Sequence, residues 1–114
     1  MENTKQQIDF NEFLEIEKKL EIKYGKIISV DDVPKSDKLI KLMVDFGDGD
    51  IRSVVTNIKS RLPVPSSLAG QGSFFVTNLK PVKMMGIDSQ AMILPAEYEG
   101  SLLWPLTMRG SKLI

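Results

Sequence analysis

One stretch of the chain, residues 39–58, restricts the fold more than any other. Apolar side chains recur there at every second position, at Ile40, Leu42, Val44 and Phe46. This period of two is typical of a strand that buries one face. The tetrapeptide GDGD at 47–50 is a strong turn signal, and the segment IRSVVTNI that follows it is rich in β-branched residues. The sequence therefore predicts an antiparallel hairpin with one apolar face.

Further strand patterns flank this hairpin. Residues 20–30 alternate apolar and charged side chains up to Gly25, where we expect the strand to bulge or bend. Residues 73–79 and 91–96 are typical of two more strands. The intervening segment 59–72 holds two prolines and two glycines, which predict a turn or a very short helix. Five strands in this arrangement predict an all-β fold, a Greek-key barrel of the OB type, and leave its ligand open.

The segment IDFNEFLEIEKKL, residues 8–20, predicts a short amphipathic helix at the N-terminal end. Asp9 fits an N-cap, and Glu12 fits the third helical position. Apolar side chains fall mostly on one side of this helix, and charged ones fall on the other. The domain therefore begins with a helix before its first strand.

Two apolar patches would be left exposed on so small a barrel. One lies on the helix, at Phe10, Phe13 and Leu14, and the other lies in the C-terminal segment, at Leu103 and Trp104. A large apolar patch on a small domain usually marks an interface. We expect both patches to be buried together between two copies of the chain related by a two-fold axis.

The length of 114 residues suits a single domain. We expect residues 1–7 to form a flexible N-terminus and residues 8–114 to form the domain, including the helix and a C-terminal extension. No apolar run approaches the roughly eighteen residues that a membrane helix needs, and the first ten residues lack the pattern of a secretory signal. We therefore expect a cytoplasmic protein without a membrane partner.

The chain contains neither cysteine nor histidine. Their absence removes disulfides, thiolate chemistry, the usual zinc sites and imidazole catalysis. Asp31, Asp32 and Asp37 share one acidic stretch, but three carboxylates without a histidine are usually solvated. We expect no metal, no cofactor and no catalytic residue, and hence no enzyme.

The formal net charge is zero, but the charges are segregated along the chain. Residues 1–37 carry nine acidic against six basic side chains, whereas residues 51–87 carry no acidic side chain. The basic side chains of this acid-free segment are Arg52, Lys59, Arg61, Lys80 and Lys83. Such a cluster can attract phosphates although the whole molecule is neutral, because salt screens each charge beyond about 8 Å. On charge alone, a solvated face explains the cluster equally well.

The stretch NLKPVKMMGIDSQAMIL, residues 78–94, crowds two lysines, a proline and three methionines around Gly86. It shows no nucleophile with an acid–base partner, so it is typical of partner binding rather than catalysis. We expect Gly86 to allow a tight turn, Met92 to offer a polarizable surface to an unstacked base, and Met84 and Met85 to lie in the core.

Two blocks, SDKL at 36–39 and NLKPVKMMGIDSQAM at 78–92, make the chain resemble the tRNA-binding domain family. Members of this family occur free-standing and appended to methionyl-tRNA synthetases. The resemblance extends over residues 8–114. It implies an OB barrel that holds tRNA mostly by shape and backbone, has no catalytic activity, and forms a homodimer through its N-terminal helix and C-terminal segment. An aminoacyl-tRNA synthetase is a further partner that the resemblance suggests.

Carried over by position, the resemblance implies RNA contacts at Lys38, Asn78, Lys80, Lys83, Ser89 and Met92. Lys35 and Arg52 are weaker candidates. Each assignment has a simpler alternative, because isolated lysines are usually solvated, Asn78 can be a turn residue, and Ser89 can cap a turn.

The chain also departs from the family pattern. The family's His-Pro-Asn-Ala before the first block reads Val33-Pro34-Lys35-Ser36 here, and Lys35 can compensate for the lost histidine. Ala91 and Asn57 stand where the family has glycine, and Gln71 stands where a lysine is frequent. We expect these departures to weaken or alter the contact with RNA.

A peptide-binding chaperone of the export type is the main alternative, because such chaperones resemble this family. It would use an apolar pocket across the dimer rather than the lysines beside Asn78. The block at 83–92 fits the RNA-binding branch better.

Overall fold

The structure, a computed structural model, describes residues 4–105 and 107–114. The first three residues of the predicted flexible N-terminus, and Leu106 of the C-terminal extension, lie outside the described residues. Within the described ranges, one α-helix precedes nine strands, and two short 3₁₀ helices, Lys59–Arg61 and Pro65–Leu68, lie between the third and fourth strands. The elements are α1 (Phe10–Glu17), β1 (Ile22–Asp32), β2 (Ile40–Asp45), β3 (Ile51–Thr56), β4 (Gly72–Val76), β5 (Val82–Met84), β6 (Ile87–Ser89), β7 (Met92–Leu94), β8 (Ala96–Tyr98) and β9 (Ser101–Leu103).

The hairpin predicted from alternation is formed by β2 and β3. Their antiparallel register pairs Ile40 with Thr56 and Asp45 with Ile51. The four alternating apolar residues, from Ile40 to Phe46, are all buried, which confirms the expected apolar face. Within the turn, the amide of Gly47 donates to the carboxylate of Asp45 at 2.8 Å.

Five antiparallel strands form one curled sheet in the order β3-β2-β1-β4-β7. The long strand β1 connects its two halves, because residues 22–26 pair with β4 and residues 26–32 pair with β2. The bulge in β1 lies between Ile27 and Ser29 and not at Gly25. Gly25 keeps regular pairing with Ser73 and is needed for packing, since a Cβ there would stand 2.5 Å from Val44.

Side chains connect β3, one edge of the sheet, to the segment that precedes β7, the other edge. The backbone amide of Ser53 donates to the side-chain oxygen of Gln90 at 2.9 Å, and the amide of Gln90 donates back to the carbonyl of Ser53 at 2.8 Å. The Ser53 hydroxyl also donates to the carbonyl of Asp88 at 2.6 Å. These bonds bring the two edges of the sheet together around the core.

The core lies inside this curl. Its largest fully buried side chains include Phe75, Ile27, Leu42 and Leu68, and the ring of Phe46 meets that of Phe75 edge to face at 5.3 Å between centroids. Leu102 and Trp104 of the C-terminal segment pack against this cluster while remaining partly exposed. Part of the predicted C-terminal apolar patch therefore stabilises the chain's own fold.

Two small hairpins and the C-terminal tail surround the sheet. Strands β5 and β6 pair with each other, and so do β8 and β9. The tail runs beside the first residues of β1, where the amide of Tyr24 donates to the carbonyl of Ser111 at 2.7 Å. In the described part of the chain, no helix is long and apolar enough to cross a membrane, and no group of three or more potential metal ligands is found.

Candidate nucleic-acid interface

An apolar cleft of about 460 Å³ opens beside the end of β3. Its walls come from the end of β3, the loop after β4, the inner face of β5 and the chain around β7, at residues 55–58, 79–80, 82, 84, 89, 91–93 and 95. Most of these side chains are aliphatic or methionine. Lys80 is the charged residue among them, and no acidic residue of the described chain lines the cleft. The cleft therefore combines apolar walls with a positive rim.

The structure brings Lys80 and Met92 together at this cleft, as the sequence block suggested. Both side chains are exposed, and Met92 is 55% accessible. No carboxylate of the described chain lies within ion-pair distance of Lys80, so its ammonium is free to bind an external anion.

Ser89 lines the same cleft, but its hydroxyl is already engaged. It accepts a hydrogen bond from the amide of Val55 at 3.0 Å and lies 3.4 Å from the carbonyl of that residue. The Ser89 side chain thus continues the connection between the two edges of the sheet. Its predicted contact with RNA stays a prediction, and its observed role is to hold β3 against the chain before β7.

Asn78 is occupied in a similar way. Its amide oxygen accepts from the backbone N–H of Glu21 at 2.9 Å, and its amide nitrogen donates to the carbonyl of Lys19. Asn78 therefore ties the loop that carries Lys80 to the joint between α1 and β1. An RNA contact by this side chain stays a prediction and would compete with these two bonds.

The neighbouring Thr77 strengthens the same attachment. Its hydroxyl donates to the carboxylate of Glu21 at 2.6 Å, and its amide donates to the Glu21 carbonyl at 2.9 Å. The hydrogen bond from Thr77 is the main cause that lowers the pKa of Glu21 below its ordinary value of 4.5. Burial opposes this shift, and the charges of Lys23 and Lys112 lower the pKa further.

Lys83 does not share the cleft with Lys80. Its neighbours in β5, Val82 and Met84, both line the cleft, and alternation places Lys83 on the opposite face of the strand. Its cross-strand partner there is Asp88. The two lysines of the block therefore act in different electrostatic surroundings.

Lys38 lies at the same end of the sheet as the cleft. It comes two residues before Ile40, and Ile40 pairs with Thr56, which lines the cleft. The hydroxyl of Ser36 accepts from the amides of Lys38 and Leu39, which orders this turn. Lys35 is exposed in the same loop, in a left-handed conformation with φ of 65°.

The other cations of the acid-free segment are paired with acids from elsewhere in the chain. Arg52 makes two contacts with the carboxylate of Asp50, at 2.9 and 3.0 Å, and donates to the carbonyl of Thr77. Lys59 pairs with Asp32 at 2.9 Å, and Arg61 pairs with Glu97. A role for Arg52 in binding RNA stays a prediction, but its charge is largely matched within the fold.

The structure also places residues that the sequence did not single out. Leu79 and Val82 are exposed apolar side chains on the cleft walls, and their positions between Asn78 and Met84 were the available signal. Met85, expected in the core, is instead 56% exposed, because it occupies the turn of the β5–β6 hairpin with φ of 52°. Gly86 completes that turn with φ of 81°, as expected.

The residues predicted for a dimer interface are mostly exposed in the single chain. On α1, which buries no residue, Phe10 is 69% and Phe13 is 46% accessible, and Leu14 is half-buried. In the C-terminal segment Leu103 is 52% accessible, whereas Trp104 is partly covered by the core.

A curled antiparallel sheet with an apolar cleft and Lys80 at its rim is suited to binding an anionic partner. Residues 22–110 match the family described as "Putative tRNA binding domain". Because the match covers most of the chain, the chain belongs to this tRNA-binding domain family.

Relatives among curated proteins include methionine–tRNA ligases. The chain is 47% identical over 89 residues to that of Methanospirillum hungatei and 42% identical over 92 residues to that of Methanocaldococcus jannaschii. These matches cover 78% and 81% of this chain but 13% of each ligase. The chain thus spans about an eighth of the length of the relatives.

Two solved structures share the fold over their full length. A MetRS related protein from Pyrococcus horikoshii is 33% identical with a TM-score of 0.76, over 96% of this chain and 100% of that one. The chaperone CsaA from Bacillus anthracis is 25% identical with a TM-score of 0.73, again over 96% of this chain and 100% of that one.

Proposed function

We propose that this chain is a non-catalytic module that binds tRNA by its shape and backbone. The observation that carries the proposal is Lys80 at the apolar cleft, within the segment matched by the tRNA-binding family. Among the described residues no carboxylate pairs with Lys80 and no acid lines the cleft. A lysine ammonium next to a phosphate releases counterions, so it contributes to affinity for any RNA backbone. Lys38, at the same end of the sheet, adds positive charge, and Lys83 offers a separate contact from the other face of β5.

The architecture that we propose for the module is the OB-type Greek-key barrel. The strand order, the long bulged β1, and the hydrogen bonds between Ser53 and Gln90 that bring the sheet edges together all support it. OB barrels bind nucleic acid with a sheet face and adjoining loops, and the cleft lies between such a face and the loop after β4.

We also propose that the module acts as a homodimer. The eight-residue helix α1 buries no residue of its own within the chain, and a helix this short is marginally stable without packing. Cover from a second copy would remove the exposed Phe10 and Phe13 from water.

An accessory role beside an aminoacyl-tRNA synthetase, in the cytoplasm, completes the proposal. The ligase relatives support the synthetase association.

The test is a filter-binding titration of bulk tRNA, a hairpin duplex and single-stranded DNA at two salt concentrations. We expect tRNA to bind more tightly than the other two, with affinity falling steeply as salt rises. Replacing Lys80 with alanine should weaken all three complexes about equally and reduce the salt slope by about one unit or less. Equal affinity for all three nucleic acids, or no effect of the Lys80 variant, would contradict the proposal.

The second candidate is a peptide-binding chaperone. Its specific support is the apolar lining of the cleft, together with the likeness to the chaperone CsaA. On this alternative an apolar peptide binds the chain and tRNA does not, and the same titration with a labelled apolar peptide separates the two candidates.

A further inference from the structure

The cleft offers an RNA two kinds of contact at once. Apolar walls from Val55, Leu79, Val82 and Met92 surround a space of about 460 Å³, and the exposed Lys80 lies at its rim. A ligand that fills this space needs an apolar body next to a negative charge. A nucleotide has both, because its base has apolar faces and its phosphate is anionic.

We propose that the cleft receives one unpaired nucleobase of the bound RNA, with an adjoining phosphate at Lys80. The inference rests on the proposed RNA-binding function and specifies which part of the bound RNA enters the cleft: an unpaired nucleotide and not a paired one. A base within a helix has both faces stacked and cannot enter, whereas an unpaired base can be turned outward and inserted between side chains.

The polar groups of the cleft predict weak selectivity among the bases. The Ser89 hydroxyl is bonded to Val55, and Thr56 is buried. Asn57 is exposed at the wall, and its amide has no hydrogen-bond partner in the described part of the chain. The cleft therefore recognises mainly that a base is unpaired, and Asn57 supplies one adaptable donor and acceptor for its edge.

Charge argues against a peptide as the occupant. No carboxylate of residues 4–105 or 107–114 pairs with Lys80, and an apolar peptide side chain would cover this ammonium without neutralising it. The phosphate attached to the sugar of the inserted base would instead form an ion pair with the Lys80 ammonium.

Methionine methyl groups report the occupancy of the cleft. The chain has six methionines, of which Met84 and Met92 line the cleft while Met85 and Met108 are exposed elsewhere. With methyl-labelled methionine, NMR spectra are recorded while a short single-stranded oligoribonucleotide is added. We expect the ring current of the base to shift the Met84 and Met92 signals and to leave the Met85 and Met108 signals in place.

The control ligands are a strand of the same length that lacks all bases and an RNA duplex. Neither should shift the Met84 and Met92 signals, although both carry phosphates. Equal shifts with the abasic strand or the duplex would overturn the proposal, since the effect would then come from the backbone. An apolar peptide that shifts the same signals and displaces the strand would overturn it in favour of the chaperone site.

A matched pair of variants measures the energetic effect. Met92 and Met85 are 55% and 56% exposed and lie seven residues apart, but only Met92 lines the cleft. Met92→Gln should weaken binding of the single strand about fivefold or more, because fivefold is the lower end of the affinity that one stacked base contributes. Met85→Gln should leave the affinity unchanged. If both variants bind the single strand with equal affinity and still bind tRNA in a salt-dependent manner, the base-binding cleft is refuted and the proposed function stays intact. Loss of tRNA binding in the unmodified chain would instead refute the proposed function itself.

Discussion

The cleft and helix α1 both expose apolar side chains, but the charges around them differ. At the cleft, Lys80 is unpaired and no acidic residue of the described chain lines the walls. On α1, Glu12, Glu15 and Glu17 accompany the apolar face, and Lys18 already pairs with Glu15 at 3.6 Å. Equal apolar exposure therefore suits different partners: a polyanion fits at the cleft, and a protein surface fits on the helix.

The comparison is tested most severely by reversing the charge at the cleft. Lys80→Glu should weaken tRNA binding by about 30-fold, because it removes one phosphate contact and adds repulsion. Lys83→Glu should cost less, since Lys83 lies on the other face of β5 opposite Asp88. Filter binding at one fixed salt concentration measures both.

Lys26→Glu is the matched control for charge. Lys26 is also exposed, and its strand neighbour is Gly72, at the end of β4 far from the Lys80 loop. The near end of β4, at Val76, is four residue steps or about 13 Å from Gly72. This separation along β4 exceeds the length of about 8 Å over which salt screens a charge, so tRNA binding should hardly change. If all three reversals have the same effect, net charge and not the cleft controls binding.

The helix side of the comparison is tested by Phe13→Asp. If α1 packs against a second copy, a buried carboxylate there should raise the dimer dissociation constant at least about tenfold. Sedimentation at micromolar concentration should then show a monomer for the variant and a dimer for the unmodified chain. Val64→Asp, at an exposed apolar position outside α1, should leave the dimer intact. If the unmodified chain is itself a monomer, α1 is not a dimer interface.

The attachment between the two regions is tested at Asn78. Asn78→Ala removes two hydrogen bonds that hold the Lys80 loop to the α1–β1 joint, which should lower the free energy of unfolding by about 1 kcal/mol. Asn57→Ala is the matched control, because that exposed amide has no partner in the described chain, and denaturant unfolding should show no loss. A variant at Asn78 that loses tRNA affinity at full stability would establish a direct RNA contact instead.

The smallest expected effect concerns pH. Because the pKa of Glu21 in the folded state is lowered, its ionised carboxylate stabilises the fold above pH 4.5, and this contribution is lost as the pH falls through the folded-state pKa. Thr77→Val removes the main cause of the lowered pKa. Its stability should therefore fall less steeply between about pH 5 and pH 3 than that of the unmodified chain, as measured by urea unfolding at each pH. An unchanged slope would assign the lowered pKa to Lys23 and Lys112.

Local sequence patterns predicted the elements in which buried side chains recur at a regular spacing. The β2–β3 hairpin was recognisable because alternation and a strong turn act between near neighbours. The hairpin β8–β9 was not predicted, because each of its strands has only three residues and its turn depends on Glu99 and Gly100 at positive φ. The pattern predicted a bulge or a bend at Gly25, but the register shift of β1 lies between Ile27 and Ser29. Its place depends on where β1 changes partner from β4 to β2.

The sequence by itself determined the all-β class, the short helix, the turn at Gly86 and the segment in which Lys80 and Met92 lie, because these depend on residue types and their spacing. Only the tertiary structure decided which polar groups remain available. Arg61 and Glu97 are distant in sequence yet form an ion pair. Ser89 accepts a hydrogen bond from Val55 of β3, and Asn78 accepts one from Glu21 in the α1–β1 joint, and both donors lie more than thirty residues away. Ion pairs and hydrogen bonds depend on distances of a few ångströms, which are set only when the strands have assembled.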